Sequence, residues 1–378
     1  MPTIGIVAGE ASGDLLGSHL IAALKAKRSD IEFVGIAGPK MMAQGAKSLY
    51  PMERLAVRGY FEVLRHYWGL VRMRKELARR FIDNPPDLFI GIDAPDFNLG
   101  LEMMLRRRGV KTLHYVSPSI WAWRHGRIKK IKQAAGHMLC LFPFEKPIYD
   151  TANIPATYVG HPLGDMIPLK QDQDAARMAL KITDPGLVIA LLPGSRQSEL
   201  DFMADLFVKT AQKIAADFPD AQFLVPLVTR ETRSKFESAI YRNQAQDLAF
   251  KLLFGHAHMA MAAADGIIVA SGTATLEAAL LKRPMVIAYK ISKWSWPIMK
   301  RMGYLPWVGL PNILAGKSVV PELLQDKATP QALAEALLPM ISDKQRVAEI
   351  QREFEEIHHQ LKQDAGEKAA EAVLEMIG

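Results

Sequence analysis

The chain of 378 residues is longer than one ordinary core, and its 49% hydrophobic against 23% charged residues exclude a disordered protein, so two packed domains of roughly 150–200 residues are expected. One cysteine, Cys140, excludes an intrachain disulfide framework and a cysteine-cluster zinc site, and predicts a reducing compartment. The formal charge of +7 is uneven, with 23 Lys/Arg against 14 Asp/Glu in residues 1–162 and 24 against 26 in residues 163–378.

Short β-branched runs alternate with helical stretches from the start. Residues 3–8 read as a buried parallel strand. The turn after it is Gly9-Glu10-Ala11-Ser12-Gly13-Asp14, neither a Gly-x-Gly-x-x-Gly fingerprint nor a Walker A loop. Two carboxylates at a helix start repel phosphate, so this loop is expected to handle hydroxyls, with helix capping by Ser12 and Asp14 as the plainer alternative. A helix over 15–26 and a strand over 33–37 follow. Residues 60–78, YFEVLRHYWGLVRMRKELA, then form a helix whose apolar residues spread over about 200° of arc, wider than a core-facing stripe needs. Its arginines and aromatic residues match a helix lying in a membrane interface, and burial between sheet and helix is the alternative.

The strand over 88–92 runs into Asp93-Ala94-Pro95-Asp96-Phe97-Asn98. A carboxylate one residue past a buried strand can take a proton from a sugar hydroxyl if partial desolvation raises its pKa. Asp93 is the choice for that base, while Asp96 is placed to cap a helix over 99–108. After the strand over 112–116 comes Ser117-Pro118-Ser119-Ile120-Trp121-Ala122-Trp123-Arg124, whose tryptophans can stack on a ligand or pack an interface. The basic run 124–132 extends the positive surface. Residues 164–174 are the expected crossing between domains.

The pattern restarts beyond that point, with strands over 187–192, 222–228, 266–270 and 284–288 and clear helices over 202–217 and 275–281. Two βα series predict an α/β protein of two doubly wound, Rossmann-like domains facing a cleft. Pro193-Gly194-Ser195-Arg196 lies between strand and helix, where backbone amides and an arginine fork suit a diphosphate. Ser271-Gly272-Thr273-Ala274-Thr275 is a second phosphate-friendly turn, and Glu277, one turn on, is spaced for a ribose hydroxyl. Acidic loops in the first domain and none in the second put the nucleotide in the second and the acceptor in the first. No histidine cluster has metal-ligand spacing: His256 and His258 read as structural, His358 and His359 as solvated. No metal and no cofactor are expected. Residues 331–377 are helical.

The longest apolar stretch, 302–316, contains Pro306 and Pro311 and is too short and broken for a membrane span. The N-terminal apolar stretch is too short for a signal peptide. A cytoplasmic protein without a transmembrane anchor is expected. Its basic half faces phospholipid; nucleic acid fits less well, since Phe, Val and Leu of the 60–78 helix would then meet water and phosphate.

Taken together, VAGEASGD, GIAGPKM, GIDAPDFN, HYVSPSIWAWR, FPFEKPIYD, LLPGSR, ASGTATLEA and LPNILAG, spread over residues 7–316, resemble the lipid-A-disaccharide synthase family of inverting GT-B glycosyltransferases in the Gram-negative lipid A (lipopolysaccharide) pathway. The resemblance implies a hexosyltransferase that joins UDP-2,3-diacylglucosamine to 2,3-diacylglucosamine 1-phosphate through a β-1,6 bond and releases UDP. It implies Asp93 as general base with Glu10 beside it, and Ser12, Gly13, Asp14, Asp96, Asn98, Ser117 and Trp121 around the acceptor. On the UDP side it implies Gly194, Ser195, Arg196, Ser271, Gly272, Thr273, Thr275, Glu277 and Asn312. Phe61, Val63, Leu64, Tyr67, Leu70 and Val71 fall where the family meets the inner membrane, as a peripheral protein on its cytoplasmic face. The implied domains are 1–165 and 166–350, with 351–378 returning to the first; the oligomeric state stays open. The competing enzyme reading is a UDP-sugar epimerase or a GT-B transferase with a soluble acceptor, and the competing non-enzyme is a membrane-associated UDP-sugar binder.

Overall fold

The computed structural model describes residues 1–55, 60–122, 126–183, 186–292, 296 and 305–378, with only the helical backbone for 60–67. The chain divides into two compact units, Met1–Asp165 with Leu361–Gly378, and Met166–Gln360.

The first unit holds a parallel sheet of seven strands: β1 (Thr3–Ala8), β2 (Glu32–Ile36), β3 (Lys47–Ser48), β4 (Leu88–Ile92), β5 (Thr112–Tyr115), β6 (His137–Cys140) and β7 (Ala156–Tyr158). They are ordered β3-β2-β1-β4-β5-β6-β7. Every residue of β4 is buried, because helices cover both faces of a parallel sheet and its central strands become continuous apolar runs. From β1 the chain winds outward to β3, then returns to lay β4 on the other side of β1, in the register Val7↔Gly91 and Ala8↔Ile92. That reversal is the topological switch point, and it brings the loops after β1 and β4 side by side.

The second unit repeats the plan with β8 (Val188–Leu192), β9 (Gln222–Leu227), β10 (Ala249–Phe254), β11 (Gly266–Ala270), β12 (Met285–Tyr289) and β13 (Glu322–Leu324), ordered β10-β9-β8-β11-β12-β13 and parallel. Here the switch lies between β8 and β11, so the loops beginning at Pro193 and Ser271 become neighbours. Strands β3, β6, β7, β10 and β13 are absent from the sequence reading. Four of them are short or only partly buried, and the fifth, β6, reads His-Met-Leu-Cys without β-branched residues.

The helix Ala365–Ile377 packs on the helix Ala11–Lys27 in the first unit through Ala369, Ala370 and Val373, all buried, with an ion pair from Lys27 to Glu367 at 2.9 Å. Asp165 caps its start, its carboxylate accepting from Asp364 N at 2.9 Å and Ala365 N at 2.7 Å. The expected break at 351 falls instead at Leu361, because the helix Lys344–Leu361 is continuous and tied to the second unit. Its Phe354 and Ile357 are buried, Arg346 donates to Val319 O, and Glu353 pairs with Lys317 at 2.7 Å. His358 on this helix is fully buried beside Lys282, not solvated as the sequence suggested.

The amphipathic helix runs over Tyr60–Asp83. Its C-terminal part anchors in the core through Met73, Leu77, Ala78 and Phe81. Leu70, expected to face a membrane, is partly buried and packs against this same core, since it shares a face with Met73 and Leu77. Val71 is half-buried and Trp68 is 77% exposed. The side chains of Phe61, Val63, Leu64 and Tyr67 lie outside the described residues.

Candidate active site

In the first unit the switch-point loops carry Glu10 and Asp93. The chain turns sharply after β4: Asp93 and Ala94 have φ of 50° and 43°, a left-handed pair that costs on the order of 1–3 kcal/mol per non-glycine residue. Three contacts hold it. Asp93 N donates to Tyr115 O at 2.8 Å, Asn98 Nδ2 donates to Asp93 O at 2.8 Å, and Pro95 opens the helix Pro95–Arg106 with its φ already suited to that position. The first loop touches this turn directly, for a Cβ on Gly9 would stand 2.6 Å from that of Ala94. Burial pushes the Asp93 carboxyl above the usual carboxylate range, Glu10 adds to the rise, and the Ala94 amide and the His114 charge oppose it. A half-buried carboxyl of raised basicity has the character of a general base.

The surrounding residues divide between surface and scaffold. Ser12 is exposed, and Gly13 is buried against Ala8 and Ile92. Asp14 is buried and points away from the loop, both oxygens accepting from Lys40 N and Met41 N at 3.0 Å; it caps the next helix rather than its own. Asp96 sits inside the first helical turn, 82% exposed and paired with Arg127. The helix starts four residues earlier than expected because Pro95 nucleates it, so Asp96 is no N-cap. Asn98 is fully buried and donates to Val7 O, Ile92 O and Asp93 O, so its amide fastens β1 to the β4 turn.

Ser117 bonds to the Tyr149 hydroxyl at 2.6 Å, and Trp121 packs edge-on against Phe142 and Phe144 while its Nε1 donates to Glu145 at 3.1 Å. Trp121 is half-buried and packs within its own unit, while Trp123 lies outside the described residues. Glu145 is enclosed and accepts from Leu141 N and Phe142 N at 3.0 Å. Burial pushes its carboxyl up to about 7, against those hydrogen bonds. Because this folded value exceeds the ordinary 4.5, the native protein binds more protons than the unfolded chain between the two. Stability therefore falls as pH rises through that window, by on the order of 3 kcal/mol once above it. Tryptophan emission should titrate near neutral pH as the Trp121 acceptor ionises, and the transition should vanish in Glu145→Gln; its persistence there would assign the transition to another group and overturn the raised Glu145 value.

In the second unit Gly194 has φ +117°, and a Cβ there would meet Glu199 Oε2 at 2.5 Å, so the turn admits only glycine. Glu199 accepts from Ser195 N at 2.8 Å and Arg196 N at 3.1 Å. The amides offered to a diphosphate are thus held by a carboxylate of their own helix, Gln197–Asp217. The Arg196 side chain is 62% exposed and within 3.8 Å of Glu199. Burial raises the hydroxyl of Tyr289, which ends β12, with the Glu199 charge adding to the rise and Arg196 opposing it.

At the neighbouring loop Gly272 and Thr273 are exposed at the start of the helix Thr273–Leu280. Ser271 is half-buried and donates to Val308 O at 3.4 Å. Thr275 is buried with its hydroxyl on Gly272 O at 2.8 Å, closing the turn. Burial raises the Glu277 carboxyl. Asn312 is fully buried with its amide committed inside the protein: Nδ2 donates to Val320 O and Glu322, and Oδ1 accepts from Val319 N and Val320 N. It holds the loop before it onto β13.

Glu102, His114, Glu145, Glu199 and Tyr289 were not singled out from sequence. An ionisable residue within an apolar strand, as in Leu113-His114-Tyr115, is the signal that could have flagged one of them.

The family model for lipid-A-disaccharide synthetase matches residues 4–377. The lipid-A-disaccharide synthases of Methylobacillus flagellatus and Dechloromonas aromatica are 63% and 58% identical over 377 and 375 residues, covering 100% of both chains in the first case, and 99% of this chain and 98% of the relative in the second. The Pseudomonas aeruginosa enzyme is 48% identical over 99% of this chain and 98% of its own. Among solved structures, the calicheamicin glycosyltransferase CalG4 superposes with a TM-score of 0.62 at 14% identity, covering 100% of this chain and 98% of that one. The UDP-GlcNAc 2-epimerase of Neisseria meningitidis, bound to UDP-GlcNAc, gives 0.60 at 12% identity over 99% of each chain. Transferase and epimerase share the GT-B fold, so the fold alone separates neither reading. The sequence relatives do: the chain belongs to the lipid-A-disaccharide synthase family.

Proposed function

We propose that this glycosyltransferase joins UDP-2,3-diacylglucosamine to 2,3-diacylglucosamine 1-phosphate, forming the β-1,6 disaccharide 1-phosphate and UDP. The observation that carries the reading is the Asp93 carboxyl, its basicity raised by burial, at the switch point of the first sheet beside Glu10. Asp93 takes the proton of the acceptor's primary hydroxyl as that oxygen attacks the anomeric carbon from the face opposite the diphosphate. The bond to the diphosphate breaks with its electron pair, and UDP leaves. In the second unit Arg196 and the start of the helix Thr273–Leu280 meet the charge gathering on the leaving group. Glu277 accepts from the ribose.

Both substrates carry acyl chains, so the enzyme has to work at a lipid surface. Among the described residues no helix is long and apolar enough to cross a membrane. The Tyr60–Asp83 helix, with Trp68 exposed and arginine around it, supports reversible attachment to the phospholipid of the inner membrane's cytoplasmic face. Purified protein given both acylated sugars should yield one new lipid whose mass equals the joined sugars, with one UDP per product. Donor isomerised without joining, or UDP released with free diacylglucosamine, would replace this reading by an epimerase or a hydrolase.

A further inference from the structure

Beneath the Asp93 turn the first unit encloses an ionisable pair that the reaction above does not use. Glu102 lies one helical turn after Asn98, and His114 stands in the middle of β5. Both are fully buried, with His114 Nδ1 2.6 Å from Glu102 Oε1. The register sets His114 opposite Gly91, two residues before Asp93. A Cβ at Gly91 would stand 2.1 Å from Glu102 Oε1 and 2.9 Å from Asn98 Cβ, so the pair occupies the space that any side chain at 91 would need. Around that point Asn98 Oδ1, Glu102 Oε2 and His114 Nε2 are buried without a hydrogen-bond partner among the described residues.

Stability does not account for such a pair, since apolar residues of similar volume usually serve a core as well or better. Its position accounts for it. The same helix supplies Asn98, which clamps the Asp93 carbonyl, and the same strand supplies Tyr115 O, which holds the Asp93 amide. We propose that the Glu102–His114 pair is a positioning element for Asp93, in which Glu102 fixes the His114 ring beneath the turn that Asn98 and Tyr115 hold, so that the ring faces the Asp93 carboxylate from below. This rests on Asp93 being the base.

The charges facing Asp93 from each side are few. Glu10 on the first loop and the loss of water favour the protonated acid; the Ala94 amide and His114 favour the carboxylate. Burial raises the Glu102 carboxyl, opposed by His114 and, least, by Lys130 from the helix Arg127–Ala134. Asp96 and Arg127 pair at the surface, where solvent screens them. Removing the His114 ring therefore leaves burial and Glu10 opposed only by the Ala94 amide, and Asp93 holds its proton to higher pH.

The test is kcat/KM against pH from 5 to 10 for the full-length wild type, His114→Phe, Glu102→Gln and Asp93→Asn, with UDP affinity measured for each. In His114→Phe the acid limb should move up by about one pH unit, a tenfold loss on that limb that recovers at alkaline pH. Glu102→Gln should move it the same way by less, and UDP affinity should not change. A uniform loss at every pH, with the limb in place, would make the pair structural only and overturn the inference. If His114→Phe fails to fold, the shape-preserving Glu102→Gln decides by the same criterion. Wild-type activity in Asp93→Asn would instead overturn the base assignment, an outcome distinct from an inactive Asp93→Asn beside an unshifted His114→Phe.

Discussion

Asp93→Asn should lower disaccharide formation by about 10²-fold or more, at the lower end of what a lost general base costs, while UDP binds as before. Asparagine has nearly the same shape, and the backbone contacts that hold the left-handed turn, Asp93 N to Tyr115 O and Asn98 Nδ2 to Asp93 O, do not involve the carboxylate. The fold should therefore survive. A non-catalytic UDP-sugar binder would show no change in either measurement, because it has no proton to move. Rates from product mass and UDP affinity from calorimetry separate the cases. A loss smaller than about tenfold would pass the proton-accepting role to Glu10, the other carboxyl whose charge acts on Asp93.

Gly91→Ala should be the most damaging single methyl group in the first unit's site. Its Cβ would lie 2.1 Å from Glu102 Oε1 and 3.1 Å from Asn98 Cγ, and neither neighbour can yield. Glu102 is paired with His114 in a site closed on all sides, and Asn98 is fastened to three carbonyls. Forcing apart a fully buried hydrogen-bonded ionisable pair costs about 3–5 kcal/mol, which lowers the melting transition of a unit this size by about 6–20 °C. The second unit should melt as in the wild type, so calorimetry should show one shifted and one unshifted transition. Adding Glu102→Ala should return part of the loss, since the clashing atom is gone. An unshifted first transition in Gly91→Ala would mean that the Glu102 side chain has room to move aside.

The two βα series were legible because a parallel sheet covered on both faces writes its central strands as unbroken apolar runs; 3–8, 88–92 and 266–270 coincide with β1, β4 and β11. Edge strands such as β3 and β13 carry no such signal, being two and three residues long and partly buried. The switch-point loops could be located as well, since their place follows from strand order. The direction in which each side chain points could not. Asp14 and Asn312 sit in the expected loops but turn inward to bond backbone. Loop composition suggests a ligand in either case, whereas only the fold shows which backbone groups need a partner. Glu199 illustrates the reverse problem: the Gly194–Arg196 amides suited an anion, and the anion they hold is a side chain four residues along. Glu102 and His114 escaped notice because helix and strand join them across the layers of the unit, and no spacing in the chain records a contact of that kind.

The claim on which the account turns is that the first unit activates an alcohol and the second grips a departing diphosphate. Crystals grown with UDP test it most directly. Density for the diphosphate against Arg196 and the start of the Thr273–Leu280 helix, with the ribose within hydrogen-bond reach of Glu277, is the predicted result. Density for the nucleotide against Glu10 and Asp93 would contradict it.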